Sequence, residues 1–118
     1  MNKLKRSTKK FMDQEINVEL IAFELIANSG GAKALFLEAL DHAIESEFEL
    51  ANQKIKEGKQ LLQNVHSSHA ELLTAEANKQ VNNIPLLLIH AEDQFMQAES
   101  ALILAEKTIK IFKKLNIK

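Results

Sequence analysis

Apolar side chains recur every three or four residues along most of the chain, which is the spacing of one face of an α-helix. The pattern is most regular in the last third of the sequence. There it comprises Leu88, Ala91, Phe95, Ala98, Leu102, Ala105, Ile109 and Phe112. Pro85 stands just ahead and suits the first turn of a helix, where its missing N–H is not needed. The sequence therefore predicts a long helix from about Pro85 to the lysine-rich C-terminal end.

A first helix is predicted from Asp13, whose short acidic side chain can cap free backbone N–H groups. Its apolar stripe comprises Ile16, Leu20, Phe23 and Ala27. After the segment Ser29-Gly30-Gly31, a stripe in a different phase comprises Ala32, Leu35, Phe36, Ala39 and Ala43. Because glycine weakens a helix interior, the pair predicts a bend or a close backbone approach within one long helix. Two separate helices are the alternative.

A second helix is predicted to begin at Ser46, a possible cap. Its inward stripe comprises Phe48, Ala51, Ile55, Leu62, Val65 or His66, His69 and Leu73. The polar, asparagine-rich run over residues 76–83 marks a loop. Three long helices joined by short loops predict an all-α fold, an antiparallel up-down-up three-helix bundle.

Composition fits one small domain and excludes several classes of protein. The chain has 118 residues and is 46% hydrophobic, so we expect a single domain over residues 13–118 preceded by a basic flexible tail over residues 1–12. An electrostatic arm for an acidic partner is the alternative for that tail. With 15 Lys and Arg against 16 Asp and Glu, the chain lacks the basic excess of a nucleic-acid binder.

Two further features of composition concern the compartment. The chain has no cysteine, which excludes disulfides, a thiolate nucleophile and Cys-based zinc sites, and suits a reducing compartment. No uninterrupted apolar run approaches the roughly 18 residues of a membrane span. We therefore expect a protein that does not itself cross a membrane.

The third predicted helix has a second face, about 100° around from its apolar stripe. This face comprises Leu86, His90, Asp93, Gln94, Gln97, Ala101, Leu104, Thr108 and Ile111. A half-apolar second face predicts contact with other subunits, and an ordinary solvated face is the alternative. In such a contact Asp93 would require a shared proton or a hard cation with oxygen ligands.

Histidines supply the candidate chemistry. His90 and Asp93 are neighbours on one helix turn, and His66 and His69 have the same spacing on the second helix. Because these two helices are predicted to be antiparallel, the three histidines could approach one another within a subunit or across an interface. A histidine beside an amide and a carboxylate can be a proton shuttle, a metal ligand or a phosphoryl acceptor.

Other interpretations of these histidines remain open. An ordinary packed or exposed histidine is the alternative at each position. A zinc site built from His66, His69, His90 and Asp93 is chemically allowed, but the spacing of these residues is not specific for it. The paired Glu-x-x-His motifs of di-metal bundles, a glycine-rich phosphate loop and the usual hydrolase motifs do not occur in the sequence.

Residues 89–96, Ile-His-Ala-Glu-Asp-Gln-Phe-Met, resemble a known motif. They are similar to the Val-His-Ala-Gln-Asp-His-Leu-Met motif of lactose/cellobiose-type IIA components of the bacterial phosphoenolpyruvate-dependent sugar phosphotransferase system. The resemblance covers roughly residues 15–115. Four further segments occur in the family's order: Ser29-Gly30-Gly31-Ala32-Lys33, Glu38-Ala39-Leu40, Ser46-Glu47-Phe48-x-x-Ala51 and Val65-His66-Ser67-Ser68-His69.

The resemblance implies a cytoplasmic homotrimer of three-helix subunits that carries a phosphoryl group. His90 would take this group from phospho-HPr and pass it to a cysteine of the IIB component, for transfer to a lactose-, cellobiose- or chitobiose-type sugar during uptake through IIC. The membrane would thus be involved only through IIC. Asp93 would bind a divalent cation, often magnesium, on the trimer axis, and no organic cofactor is expected. His66 would lie near the active site.

Further side chains could hold the oxygens of the phosphoryl group on His90. Neutral donors such as Gln94 or Gln97, or the imidazoles of His66 and His69, are the candidates. Phosphoryl transfer needs positioning and charge stabilisation more than covalent machinery, so a sparse site is expected.

Three residues depart from the family pattern: Glu92 stands for a glutamine, Gln94 for a histidine and His69 for a glutamine. Glu92 points about 200° away from His90 on an ideal helix, so we expect it to have little effect on transfer. A non-enzymatic trimeric helical adaptor or regulatory interaction protein of the same shape remains the alternative function.

Overall fold

The computed structural model describes residues 17–81 and 83–116. These residues form three α-helices, α1 (Val18–Ile44), α2 (Phe48–Ala77) and α3 (Leu86–Leu115), with no strand among them. The predicted all-α three-helix architecture is confirmed. The predicted tail over residues 1–12 and the predicted cap at Asp13 lie outside the described residues. The homotrimer concerns further copies of the chain and stays a prediction.

Helix α1 is the common partner of the other two, because it packs against both α2 and α3, which contact each other far less. Its buried residues include one unbroken stripe in steps of three and four: Ala22, Leu25, Ser29, Ala32, Phe36, Ala39 and Ala43. The predicted change of phase is therefore wrong. Leu20 and Phe23 are 52% and 58% exposed. Since α1 is apolar on more than one side, periodicity alone did not identify its inward face.

The glycine pair lies inside α1 without ending it, so two separate helices are ruled out. Gly31 faces α2 closely, since a Cβ built there would lie 2.9 Å from Leu61 Cδ1. Gly30 faces open space, with nothing within 4 Å of such a Cβ. The predicted close approach is thus confirmed for Gly31.

The helix starts differ slightly from the predictions. Asn17 caps α1, because its Oδ1 accepts a hydrogen bond from Leu20 N at 3.0 Å. Helix α2 has Glu47 as its N-cap residue rather than Ser46. Ser46 has a φ of 61°, and its Oγ donates to Asn116 Oδ1 at 3.2 Å. It therefore ties the α1–α2 turn to the end of α3 instead of capping α2.

The stripe predicted for α3 forms the core contact of that helix. Leu88, Ala91, Phe95, Ala98, Ala105 and Ile109 are buried, and Leu102 and Phe112 are half-buried. On α2 the inward residue near the C-terminal end is Leu72, whereas the predicted Leu73 is 52% exposed. Pro85 is the N-cap residue of α3, next to the predicted position in its first turn.

Helix α1 is long and apolar enough, by length and composition, to cross a membrane, which differs from the sequence-based expectation. Core helices of soluble proteins also meet this criterion. The place of α1 between α2 and α3 gives a simpler reason for its composition, because a helix with two packed sides needs two apolar faces. The finding is therefore weak evidence for a membrane segment.

Candidate functional site

His90 lies in the second turn of α3 and is exposed. Its neighbours Leu88 and Ala91 belong to the buried stripe, so the backbone beneath it is fixed by the core. Among the described residues, no side chain makes a hydrogen bond to its ring. The imidazole is therefore attached to a fixed backbone, while the residue itself is exposed and its ring has no hydrogen-bond partner among the described residues.

A chain of polar side chains runs along the same face of α3, one turn beyond His90. Gln97 Nε2 donates to Asp93 Oδ2 at 2.8 Å. Lys33 Nζ, from α1, donates to Gln97 Oε1 at 3.2 Å. A cation on α1 is thus linked through one amide to the carboxylate that lies three residues after His90. Gln94 stands beside this chain and is half-buried.

His69 has a different partner from the one considered in the sequence analysis. Its Nε2 lies 2.8 Å from both carboxylate oxygens of Glu92 on α3. Its ring packs against Phe95, with 4.6 Å between ring centroids and 43° between ring planes. The side chains of His69 and Glu92 are only 14% and 27% exposed. They form a partly buried hydrogen-bonded pair between α2 and α3.

Among the described residues, no hydrogen bond joins His66, His69 and His90 to one another, and their approach across an interface stays a prediction. His69 pairs with Glu92, which points away from His90 on α3, and His66 is exposed on α2. Over residues 17–81 and 83–116, no three His, Cys, Asp or Glu side chains are grouped to hold a metal ion. The zinc site that was chemically allowed thus does not form within a single chain.

The pair formed by His69 and Glu92 does not follow from spacing along the chain. Helix geometry predicts that Glu92 points away from His90 but gives it no partner. The available signal was that positions 69 and 92 both depart from the same family pattern, each by exchange of a glutamine. Two glutamines can hydrogen-bond to each other, and a histidine with a carboxylate can replace them.

We expect the pair to contribute measurably to the stability of the bundle. In a double-mutant cycle with His69→Ala and Glu92→Ala at pH 7, the coupling free energy should be about 1 kcal/mol, because a partly buried hydrogen bond to a charged group is lost. Urea unfolding of the four proteins measures it. Additive single-variant effects would show that the two side chains do not interact in solution.

The fold and the site together define a class. A small helical bundle presents exposed histidines, of which His90 lies on a face of α3 that its own chain leaves uncovered. Residues 20–113 match the family model described as "PTS system, Lactose/Cellobiose specific IIA subunit". The chain belongs to this family, and it is a component of a sugar phosphotransferase system.

Relatives of known specificity resemble the chain over most of its length. It is 33% identical over 97 residues to the lactose-specific EIIA component of Staphylococcus epidermidis, covering 82% of this chain and 93% of the relative. It is 31% identical over 99 residues to the oligo-beta-mannoside-specific EIIA component of Bacillus subtilis, covering 84% and 90%. The relatives thus differ in the sugar for which they are named, whereas each matches this chain over most of its length.

Solved structures agree with this assignment. The cellobiose-specific enzyme IIA of Bacillus anthracis has a TM-score of 0.79 and 35% identity, covering 84% of this chain and 91% of that one. The IIA(chitobiose) subunit in a solution structure of its complex with HPr has a TM-score of 0.74 and 26% identity, covering 86% and 98%. The three-helix fold is therefore that of IIA proteins.

Proposed function

We propose that this protein is a phosphocarrier. In this proposal His90 accepts a phosphoryl group from phospho-HPr and passes it to a cysteine of a IIB component, during uptake of a lactose-, cellobiose- or chitobiose-type sugar. The observation that carries the proposal is the accessible, unengaged imidazole of His90 in a chain of the IIA family. A neighbour in structure forms a complex with HPr, which supports HPr as the donor.

The transfer requires little from the surrounding protein. The lone pair of one His90 ring nitrogen attacks the phosphorus, and the bond from phosphorus to the HPr imidazole nitrogen breaks. The electron pair returns to the HPr imidazole, which takes up a proton as His90 loses one from its other ring nitrogen. A neutral imidazole is nucleophilic near pH 7, so no separate base is needed to begin.

The hydrogen bonds that the candidate residues already make support an order among them for holding the phosphoryl oxygens. Gln97 already uses both ends of its amide, and His69 is engaged by Glu92. Gln94 makes no such contact among the described residues and lies on the face of His90, so we assign it this role first. His66 is exposed on another helix and would serve only by reaching the site of a neighbouring copy.

A homotrimer would account for the exposed second face of α3. Along this face Leu86, Leu104 and Ile111 are 79%, 65% and 55% exposed, although each is a large apolar side chain. Three identical chains whose α3 helices meet would cover these residues, because an apolar surface removed from water stabilises association. In that arrangement the copies of Asp93 would come close together.

A divalent cation, magnesium or another, fits Asp93 only in such an assembly. Each chain offers one carboxylate, in which Oδ2 is bound by Gln97 and Oδ1 has no such partner. Hard cations take six or more oxygen ligands, so one carboxylate per chain needs its copies and water. The residues therefore fit a structural ion shared between chains, which would offset carboxylate repulsion, and the transfer step does not pass through it.

Removing that carboxylate tests the assembly. We expect Asp93→Leu to keep or strengthen the trimer, because it removes the repulsion between close carboxylates, and to end any dependence of the trimer on magnesium. Sedimentation with and without a chelator measures both effects. A monomer for the unmodified protein in magnesium would contradict the assembly.

The function itself is tested by transfer. The protein incubated with phosphoenolpyruvate, enzyme I and HPr should gain one acid-labile, base-stable phosphoryl group, detected by mass spectrometry after a basic quench. Omitting HPr should prevent the gain. A protein that remains unphosphorylated with all components would instead support the helical adaptor. We place the phosphocarrier in the cytoplasm, where these components meet, with the membrane involved only through IIC.

A further inference from the structure

Lys33 on α1 donates a hydrogen bond to Gln97, on the face of α3 that carries His90. This lysine has no role in the transfer described above. We propose that Lys33 is a positioning residue for phosphoryl loading, acting through Gln97 on the Asp93 carboxylate beside His90. The inference rests on the proposed function and assigns a part to the hydrogen-bond chain from α1 to α3.

The two hydrogen bonds fix the orientation of the Gln97 amide. Its Oε1 accepts from Lys33 Nζ at 3.2 Å, and its Nε2 donates to Asp93 Oδ2 at 2.8 Å. Only this orientation satisfies both neighbours, because a flipped amide would direct N–H groups at an ammonium and an oxygen at a carboxylate. The negative end of the amide dipole therefore faces the ammonium of Lys33, and its positive end faces the carboxylate of Asp93. Each hydrogen bond strengthens the other.

The position of Lys33 follows from the local structure of α1. Gly31, two residues earlier, faces Leu61 of α2 closely. Residues two apart point about 200° away from each other on a helix, so Lys33 emerges on the side of α3. Its side chain is half-buried and reaches Gln97 across the α1–α3 contact. The lysine is thus placed by the same packing that builds the core.

The chain of hydrogen bonds affects His90 through charge. Asp93 lies three residues after His90, so its carboxylate is one helical turn from the phosphoryl group that His90 would carry. In protein freed of divalent cations by a chelator, the negative charge there opposes the arrival of a further negative group. Gln97 holds the carboxylate from the side away from His90, and Lys33 supplies a compensating positive charge. Loading of His90 is therefore easier when Lys33 is present.

The test is the equilibrium constant for phosphoryl exchange between purified phospho-HPr and this protein, measured in a chelator from the phosphorylated fraction of each. We expect Lys33→Gln to lower it about three- to fivefold at low salt, the effect of one exposed charge interaction. The loss should shrink near 1 M salt, where charges are screened within about 3 Å. Lys33→Arg should restore the constant, since it keeps the charge and the donors.

Two further variants separate charge compensation from a merely structural role. Lys59→Gln removes the same charge from a surface pair with Glu106 at 3.3 Å and should leave the constant unchanged. In an Asp93→Asn background, Lys33→Gln should have no further effect, because no carboxylate remains to compensate. Sedimentation of every variant ensures that constants are compared at equal oligomeric state.

The outcomes distinguish this inference from the function on which it rests. If the unmodified protein is phosphorylated and Lys33→Gln behaves as Lys59→Gln does, the role of Lys33 is refuted and the phosphocarrier stands. An effect of Lys33→Gln that persists in full with Asn at position 93 also refutes it. If the unmodified protein takes no phosphoryl group from phospho-HPr, the proposed function fails, and the inference fails with it.

Discussion

Replacing His90 with alanine is expected to abolish phosphorylation by phospho-HPr while leaving the helical bundle intact. The side chain is exposed and makes no hydrogen bond to another described residue, so its loss removes no packing. Alanine also favours the helix more than histidine does, by a few tenths of a kcal/mol. Mass spectrometry after a basic quench measures the phosphoryl group, and circular dichroism with thermal unfolding measures the fold.

A matched control is His42→Ala. His42 lies near the end of α1, where its Nδ1 is 3.0 Å from Glu47 Oε1, close to the opposite end of α3 from His90. This variant should be phosphorylated to the same extent as the unmodified protein. Persistent labelling of the His90→Ala protein would show that another residue is the acceptor.

Replacing Gly58 with alanine is expected to destabilise the bundle by about 1–3 kcal/mol, the usual cost of overpacking a core. A Cβ on Gly58 would overlap the ring of Phe36, with ring atoms Cδ1 and Cζ both 2.9 Å away. Phe36 is fully buried, so its ring has little space into which to move. Urea unfolding monitored by circular dichroism measures the change.

The matched control for Gly58 is the same substitution at Gly30, also inside a helix. Nothing lies within 4 Å of a Cβ there, so Gly30→Ala should stabilise the protein by about 0.5–1 kcal/mol through its higher helix propensity. Equal effects of the two substitutions would contradict the close contact between Gly58 and Phe36.

The sequence predicted the architecture well where a helix has one apolar face. On α3, the predicted stripe from Leu88 to Phe112 supplies the residues that pack on the core. On α1 the predicted stripe was wrong near the N-terminal end. Exposed apolar side chains such as Leu20 and Phe23 lie beside the buried stripe there, and their spacing is that of an inward face. Periodicity identifies a buried side only when the other sides are polar.

The sequence predicted the part of the candidate site that lies on α3 alone, but not the partners that other helices supply. Spacing along one helix shows that His90, Asp93 and Gln97 share a face, because that depends on α3 alone. The partners supplied by other helices, Lys33 for Gln97 and His69 for Glu92, depend on how the helices pack. Such contacts depend on the tertiary structure, which cannot be predicted from a local sequence pattern.

The central place of α1 has a consequence for the order in which the protein is made. Synthesis adds α1 first, then α2 and then α3, so the two helices that pack on α1 become available to it in turn. At about 5–20 residues per second, the 30 residues of α3 take roughly 2–6 s. During that interval the side of α1 that α3 will cover is open to water and to chaperones. The residues that would carry the phosphoryl group therefore reach their positions only when α3 packs on α1.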